Sequence, residues 1–202
     1  MILPQSYYTR DNVVDLAGDF LGKTLYTSVN GVVTAGTIVE TEAYAHKNDR
    51  ACHAHLQKRT TRTEIMFHAG GVAYVYLVYG IHYLFNIITN VAGKADAVLV
   101  RAVAPLEGVE TMGVRRGLPT ATRPQQRKLT SGPGKLSQAM GINQSHYGLD
   151  LTRKKTIWIA DEGVSYRDDE IATGPRIGID YAGEDARLPW RFWVKENRFV
   201  SR

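Results

Sequence analysis

Two acidic residues two positions apart, Glu40 and Glu42, stand in the β-branched run from Gly36 to Tyr44. If this run is a strand, its period of two puts Ile38, Glu40, Glu42 and Tyr44 on one face and Thr37, Val39, Thr41 and Ala43 on the other. A lone Glu in a strand usually faces water, but here a second apolar run, Ala97 to Val103, is interrupted by Arg101. A guanidinium inside such a run requires a buried anion, and Glu42 or Glu40 can supply it. The pair is then either a structural ion bridge or the acid–base centre of a hydrolytic reaction.

Other side chains could serve such a centre. Of 11 tyrosines, Tyr74, Tyr76, Tyr79 and Tyr83 crowd one short stretch. Most strand aromatics belong to a core, yet Tyr79-Gly80-Ile81 falls where a hairpin should turn, and a ring at such a tip can wedge between bases. Cys52, His53 and His55 are metal-ligand types, but their spacing fits no common zinc pattern and no second ligand cluster accompanies them, so no metal is expected. His53 suits a satisfied structural histidine or an imidazole beside a ligand. Ser131-Gly132-Pro133-Gly134-Lys135 opens a helix with unbonded N–H groups and a cation nearby, which fits a single backbone phosphate or an ordinary glycine-rich helix entry. It lacks the spacing of a nucleotide-triphosphate loop. Arg59, Arg62, Arg115, Arg116, Arg123, Arg127 and Lys128 read as loop cations able to meet phosphates or simply water.

Positioning these groups requires mainly strands. Thr9 or Asp11 can cap a first helix carrying Val13, Leu16, Ala17, Phe20 and Leu21, with Gly22 at its stop. Lys23 to Ser28 and Val32 to Tyr44 then form a hairpin about Asn30-Gly31, and Val72 to Val78 with His82 to Thr89 form another about Tyr79-Gly80. Ala97 to Val103 is a buried strand, Arg115 to Lys128 a mobile connection rich in Gly, Pro and basic residues, and Ser131 onward a short helix through Met140. Ile177 to Val194 returns to β-like patterning. Strands without regularly interposed helices predict an α+β fold with a mostly antiparallel sheet.

The 202 residues, 44% hydrophobic and 22% charged, suit one globular domain over 1–202. A single cysteine excludes an internal disulfide, and the charge of +5 favours polyanionic partners without proving one. No apolar run approaches the roughly 20 residues that cross a bilayer, and Met1 to Gln5 shows no targeting signature, so a cytosolic protein is expected.

Taken in order, Ile38-Val39-Glu40-Thr41-Glu42-Ala43-Tyr44, Ala51-Cys52-His53, Met66-Phe67, Tyr74-Val75-Tyr76-Leu77-Val78-Tyr79-Gly80, Asn86, Val98-Leu99-Val100-Arg101-Ala102 and Ser131 to Leu136 strongly resemble the alkyladenine, or 3-methyladenine, DNA glycosylases. The likeness runs from the first helix nearly to the C-terminus. It implies a curved antiparallel sheet with surrounding helices and a protruding hairpin that inserts into DNA. It implies a monofunctional repair enzyme, a monomer without metal or other cofactor, acting on damaged double-stranded DNA away from membranes. By the same resemblance Glu42 is the general base and Arg101 helps hold the nucleophilic water. Tyr44, His53, Tyr76 and Asn86 line the base pocket, Ile179 presents backbone there, Tyr79 is the wedge, and Arg59, Arg62, Ser131, Gly132, Gly134 and Lys135 meet the DNA backbone. Two other readings stay open: an O-glycoside hydrolase using Glu40 with Glu42, and a non-catalytic binder of distorted DNA.

Overall fold

The structure is a computed structural model and describes residues 1–201. At its centre lies β2 (Val32–Tyr44), buried without interruption from Thr34 to Ala43. A strand so enclosed takes neighbours along both edges. On one edge β1 (Thr24–Val29) pairs with its first half and β8 (Arg191–Val194) with Glu40–Glu42; on the other lies β5 (Asp96–Glu107). Beyond β5 come β4 (His82–Thr89) and β3 (Ala73–Val78), beyond β1 comes β6 (Ile157–Ala160), and β7 (Ile171–Gly174) pairs with β8. All eight strands pair antiparallel in one sheet, and the fold is α+β as expected.

Both anticipated hairpins form. Asn30 and Gly31 turn β1 into β2 with φ of 53° and 77°, and Tyr79 and Gly80 turn β3 toward β4 with φ of 53° and 72°. Successive positive φ values match the right-handed twist of flanking strands, which is why Asn-Gly serves so well and why a tyrosine there is a costly choice.

The β2–β5 ladder is irregular where the chemistry-bearing residues lie. Ile38 faces Val103, Glu40 faces Ala102 and Thr41 faces Val100, so Val39 and Arg101 each fall outside the register. A bulge re-aims a side chain, and here it shifts the simple alternation. Ile38, expected beside the carboxylates, joins the hydrophobic core together with Val39 and Ala43.

Helices cover the sheet. In α2 (Val13–Asp19), Val13, Leu16 and Ala17 are buried, and Thr41 Oγ1 donates to Ala17 O at 2.8 Å. Its cap is Asn12, whose side chain accepts from Val14 N and Asp15 N, rather than Thr9 or Asp11: Thr9 ends a preceding turn, α1 (Gln5–Tyr8). The expected mobile connection from Arg115 to Lys128 is instead largely helical, in α3 (Val109–Arg116) and α4 (Arg123–Thr130). Gly108 and Gly117, both at left-handed φ, bracket α3, while Thr122 and Gln125 form a capping box ahead of α4. Met112 and Leu129 then join the core, and Arg115 bonds Thr34 Oγ1 and Ala139 O, so that cation braces α3. α5 (Pro133–Met140) follows as predicted. Toward the C-terminus the β reading was too broad: Asp180–Arg187 is 3₁₀, and only Arg191–Val194 is strand. Among the described residues no helix is long and apolar enough to cross a membrane.

Candidate active site

A cleft of about 780 Å³ opens between the β3–β4 hairpin, the N-terminus of α5 and the loop around Ile177–Tyr181. One wall is aromatic. His53 lies against Tyr76 with ring centroids 4.8 Å apart and an interplanar angle of 68°, and Tyr74 lies 5.1 Å from Tyr76. His53 Nδ1 and the Tyr74 hydroxyl share a hydrogen bond of 2.8 Å. Burial, with smaller contributions from Arg62 and Lys58, depresses His53 from 6.5 to about 4, so its imidazole is neutral near pH 7. Burial pushes the Tyr74 hydroxyl up to about 12 and that of Tyr76 higher still. The aromatic wall is therefore uncharged. Arg62 stacks on Tyr76 with its Cζ 4.5 Å from the ring centre.

Behind this cleft lies Glu42, with no exposed surface. Its Oε1 accepts from Ile177 N at 2.7 Å and meets Arg101 Nη1 at 3.1 Å; its Oε2 accepts from the Tyr44 hydroxyl at 2.8 Å. Tyr44, Arg101 and Ile177 all line the cleft, so the carboxylate sits one side chain behind its surface. A carboxylate offers about four acceptor sites, and two hydrogen bonds with one charge contact leave room for a further donor. Glu40 is different. It accepts four hydrogen bonds, three at Oε1 from Arg101 Nε, Arg191 Nε and Ser201 Oγ and one at Oε2 from Ser201 N. Sequence reasoning left the partner of Arg101 open between Glu40 and Glu42; the guanidinium engages both.

The remaining expected residues divide. Asn86 is buried at the cleft, its Nδ2 donating to Tyr74 O and Leu84 O. Tyr79 is 91% exposed at the hairpin tip, flanked by exposed Leu77 and Ile81. Ser131, Gly132, Gly134 and Lys135 all border the cleft, although the Gly132 amide donates to Arg101 O and is no longer free. Gly134 approaches the His82 ring so closely that a Cβ would lie 2.9 Å from it, which sets α5 against the hairpin close to its turn. Arg62 lines the cleft, whereas Arg59 turns to Glu64 and Phe67. Ile179 lines it too, but the backbone N–H that reaches Glu42 belongs to Ile177. Cys52 is buried, its thiol pushed up to about 12 by burial, and points toward Ala95 O. Among the described residues no three His, Cys, Asp or Glu side chains group as metal ligands.

Several participants were not anticipated. Ser201 brings the C-terminal segment against Glu40 and the cleft. Arg176 lies wholly buried in a bidentate pair with Asp49, its Nη1 and Nη2 donating at 2.7 and 2.8 Å. No local spacing announces these partners, which lie 161 and 127 residues apart in the chain.

A carboxylate is thus held behind an aromatic cleft, beneath a hairpin with an exposed tyrosine at its tip. A family model described as "Methylpurine-DNA glycosylase (MPG)" matches residues 6–198. Proteins provisionally named 3-methyladenine DNA glycosylases are similar along their whole length: that of Natranaerobius thermophilus is 42% identical over 203 residues, covering 100% of this chain and 99% of the relative. Those of Bacillus cereus and Carboxydothermus hydrogenoformans are each 44% identical, with 100% of both chains covered. The chain belongs to the methylpurine-DNA glycosylase family.

Proposed function

We propose that this chain extrudes alkylated or deaminated purines, namely 3-methyladenine, 7-methylguanine, hypoxanthine and ethenoadenine, from duplex DNA and hydrolyses the C1′–N9 bond with a water activated by Glu42. The carrying observation is the asymmetry between the two acids: Glu40 takes four donors, including Arg191 and the Ser201 backbone and hydroxyl, while Glu42 takes fewer and takes them from Ile177, Arg101 and Tyr44, which all line the cleft. The same asymmetry speaks against Glu40 as half of an O-glycosidase pair.

The bond lies inside the stacked duplex, so the nucleotide must leave it, and Tyr79 fills the vacancy. A purine methylated at N3 or N7 is cationic, is drawn to the electron-rich faces of the tyrosine rings, and departs as a neutral base carrying the C1′–N9 electron pair. The deoxyribose left behind has oxocarbenium character. Glu42 stabilises that charge and takes a proton as water oxygen bonds to C1′. Neutral purines need a proton on the leaving base from a further donor. The product is an abasic site in an uncut strand, the enzyme acts as a monomer, and the step uses no metal or redox cofactor.

The test uses duplexes carrying 7-methylguanine or hypoxanthine, in EDTA, scored for free base and for strand breaks before and after hot alkali. Free base with breaks only after alkali is expected. Lys135 is the only lysine among the described cleft-lining residues, so a borohydride-trapped adduct at Lys135, or breaks without alkali, would overturn the hydrolytic reading.

A further inference from the structure

Arg176 and Asp49 touch no cleft surface, yet they lie directly behind one of its walls. The Arg176 Cζ stands 4.7 Å from the centre of the Tyr44 ring and 5.1 Å from that of Trp190, and its Nη1 also donates to Ala43 O at 2.8 Å. Tyr44 lines the cleft, whereas neither Arg176 nor Asp49 does. The ring is thus a partition with the lesion site in front and a guanidinium behind. Asp49 receives the fork of Arg176 and also accepts from Ala45 N and Ala51 N, at 3.1 and 3.0 Å. Two backbone donors thus hold Asp49 in place independently of Arg176. Both side chains have 0% exposure.

We propose that the Asp49–Arg176 pair sets the charge preference of the cleft, by giving the Tyr44 partition an electrically neutral back; this rests on the glycosylase reading above. A base stacked on Tyr44 would lie about 8 Å from Arg176, close enough through protein interior for one unbalanced charge to alter binding on the order of tenfold. Left alone, the guanidinium would repel a cationic methylpurine and occupy the π density that the lesion needs. Left alone, the carboxylate would favour the cation over a neutral purine. Paired, they leave discrimination to the rings. A purely structural clasp between the loop carrying His53 and the segment carrying Ile177 would instead affect all lesions alike.

The test is the ratio of single-turnover excision of 7-methylguanine, a cationic base, to that of hypoxanthine, a neutral one. Arg176→Gln, which leaves Asp49 unbalanced, should raise this ratio about tenfold, and Asp49→Asn, which leaves Arg176 unbalanced, should lower it about tenfold. The double variant should return it toward the wild-type value. Arg176→Lys should keep the wild-type ratio even as thermal stability falls, because the charge remains while the fork is lost. If Asp49→Asn does not fold, Arg176→Gln against Arg176→Lys still decides. Folded variants that leave the ratio unchanged, or that move it in one direction from both sides of the pair, would overturn the proposal. Wild-type protein excising neither base would instead overturn the underlying reading.

Discussion

Arg101 joins the two acids, with Nε on Glu40 and Nη1 on Glu42, and it is nearly as buried as they are. Burial works against its charge, but the neighbouring carboxylates more than compensate and hold its pKa above the ordinary arginine value. Deleting one member of such a network leaves uncompensated buried charge, so Arg101→Ala should cost about 3–5 kcal/mol of stability. Urea unfolding checks this, and an unchanged midpoint would show that the network carries no weight. His53 gives a pH signature. Its folded pKa of about 4 lies below the reference 6.5, so unfolding takes up a proton between those values, and stability must fall as pH drops through that window. His53→Gln should flatten this part of the profile. Parallel profiles for the two proteins would show that His53 is not desolvated.

At the scale of elements, the β3–β4 hairpin holds Tyr74 and Tyr76 in the cleft wall and projects Tyr79 beyond it. Tyr79→Ala should therefore slow excision more on a paired hypoxanthine duplex than on a mismatched one, where less stacking must be broken, while binding to undamaged DNA changes little. Equal losses on both duplexes would reduce Tyr79 to an ordinary strand-end aromatic. This hairpin was legible because two runs rich in apolar and aromatic residues flank a Tyr-Gly turn, and β1–β2 because Asn30-Gly31 lies between two β-branched runs. The helices α3 and α4 were not, since Gly117, prolines and clustered cations resemble a loop; the signal present but unused was Thr122 with Gln125, a capping box that outweighs composition. The bulges at Val39 and Arg101 were invisible, because a one-residue slip leaves no mark on hydrophobic alternation yet moves Ile38 to the core. Glu42, Tyr44, His53, Tyr76 and Arg101 could be singled out by type and motif. Asp49, Arg176 and Ser201 could not, because their meaning lies in partners brought near only by the folded sheet.

Across the whole molecule, the excess of 25 basic over 20 acidic residues is small, and placement matters more than the total. Arg62, Arg116 and Lys135 border the cleft with the N-terminus of α5, while the two acids beside it are buried. The rim can attract phosphates while the interior handles a base, so grip and chemistry are separable in principle. Glu42→Gln tests this separation: the amide keeps the shape, its oxygen can still accept from Ile177, and it cannot take the proton of an attacking water. Binding of the variant to hypoxanthine duplex should match wild type, while single-turnover base release falls about 10²–10⁴-fold. Release at the wild-type rate would contradict Glu42 as the base that activates water.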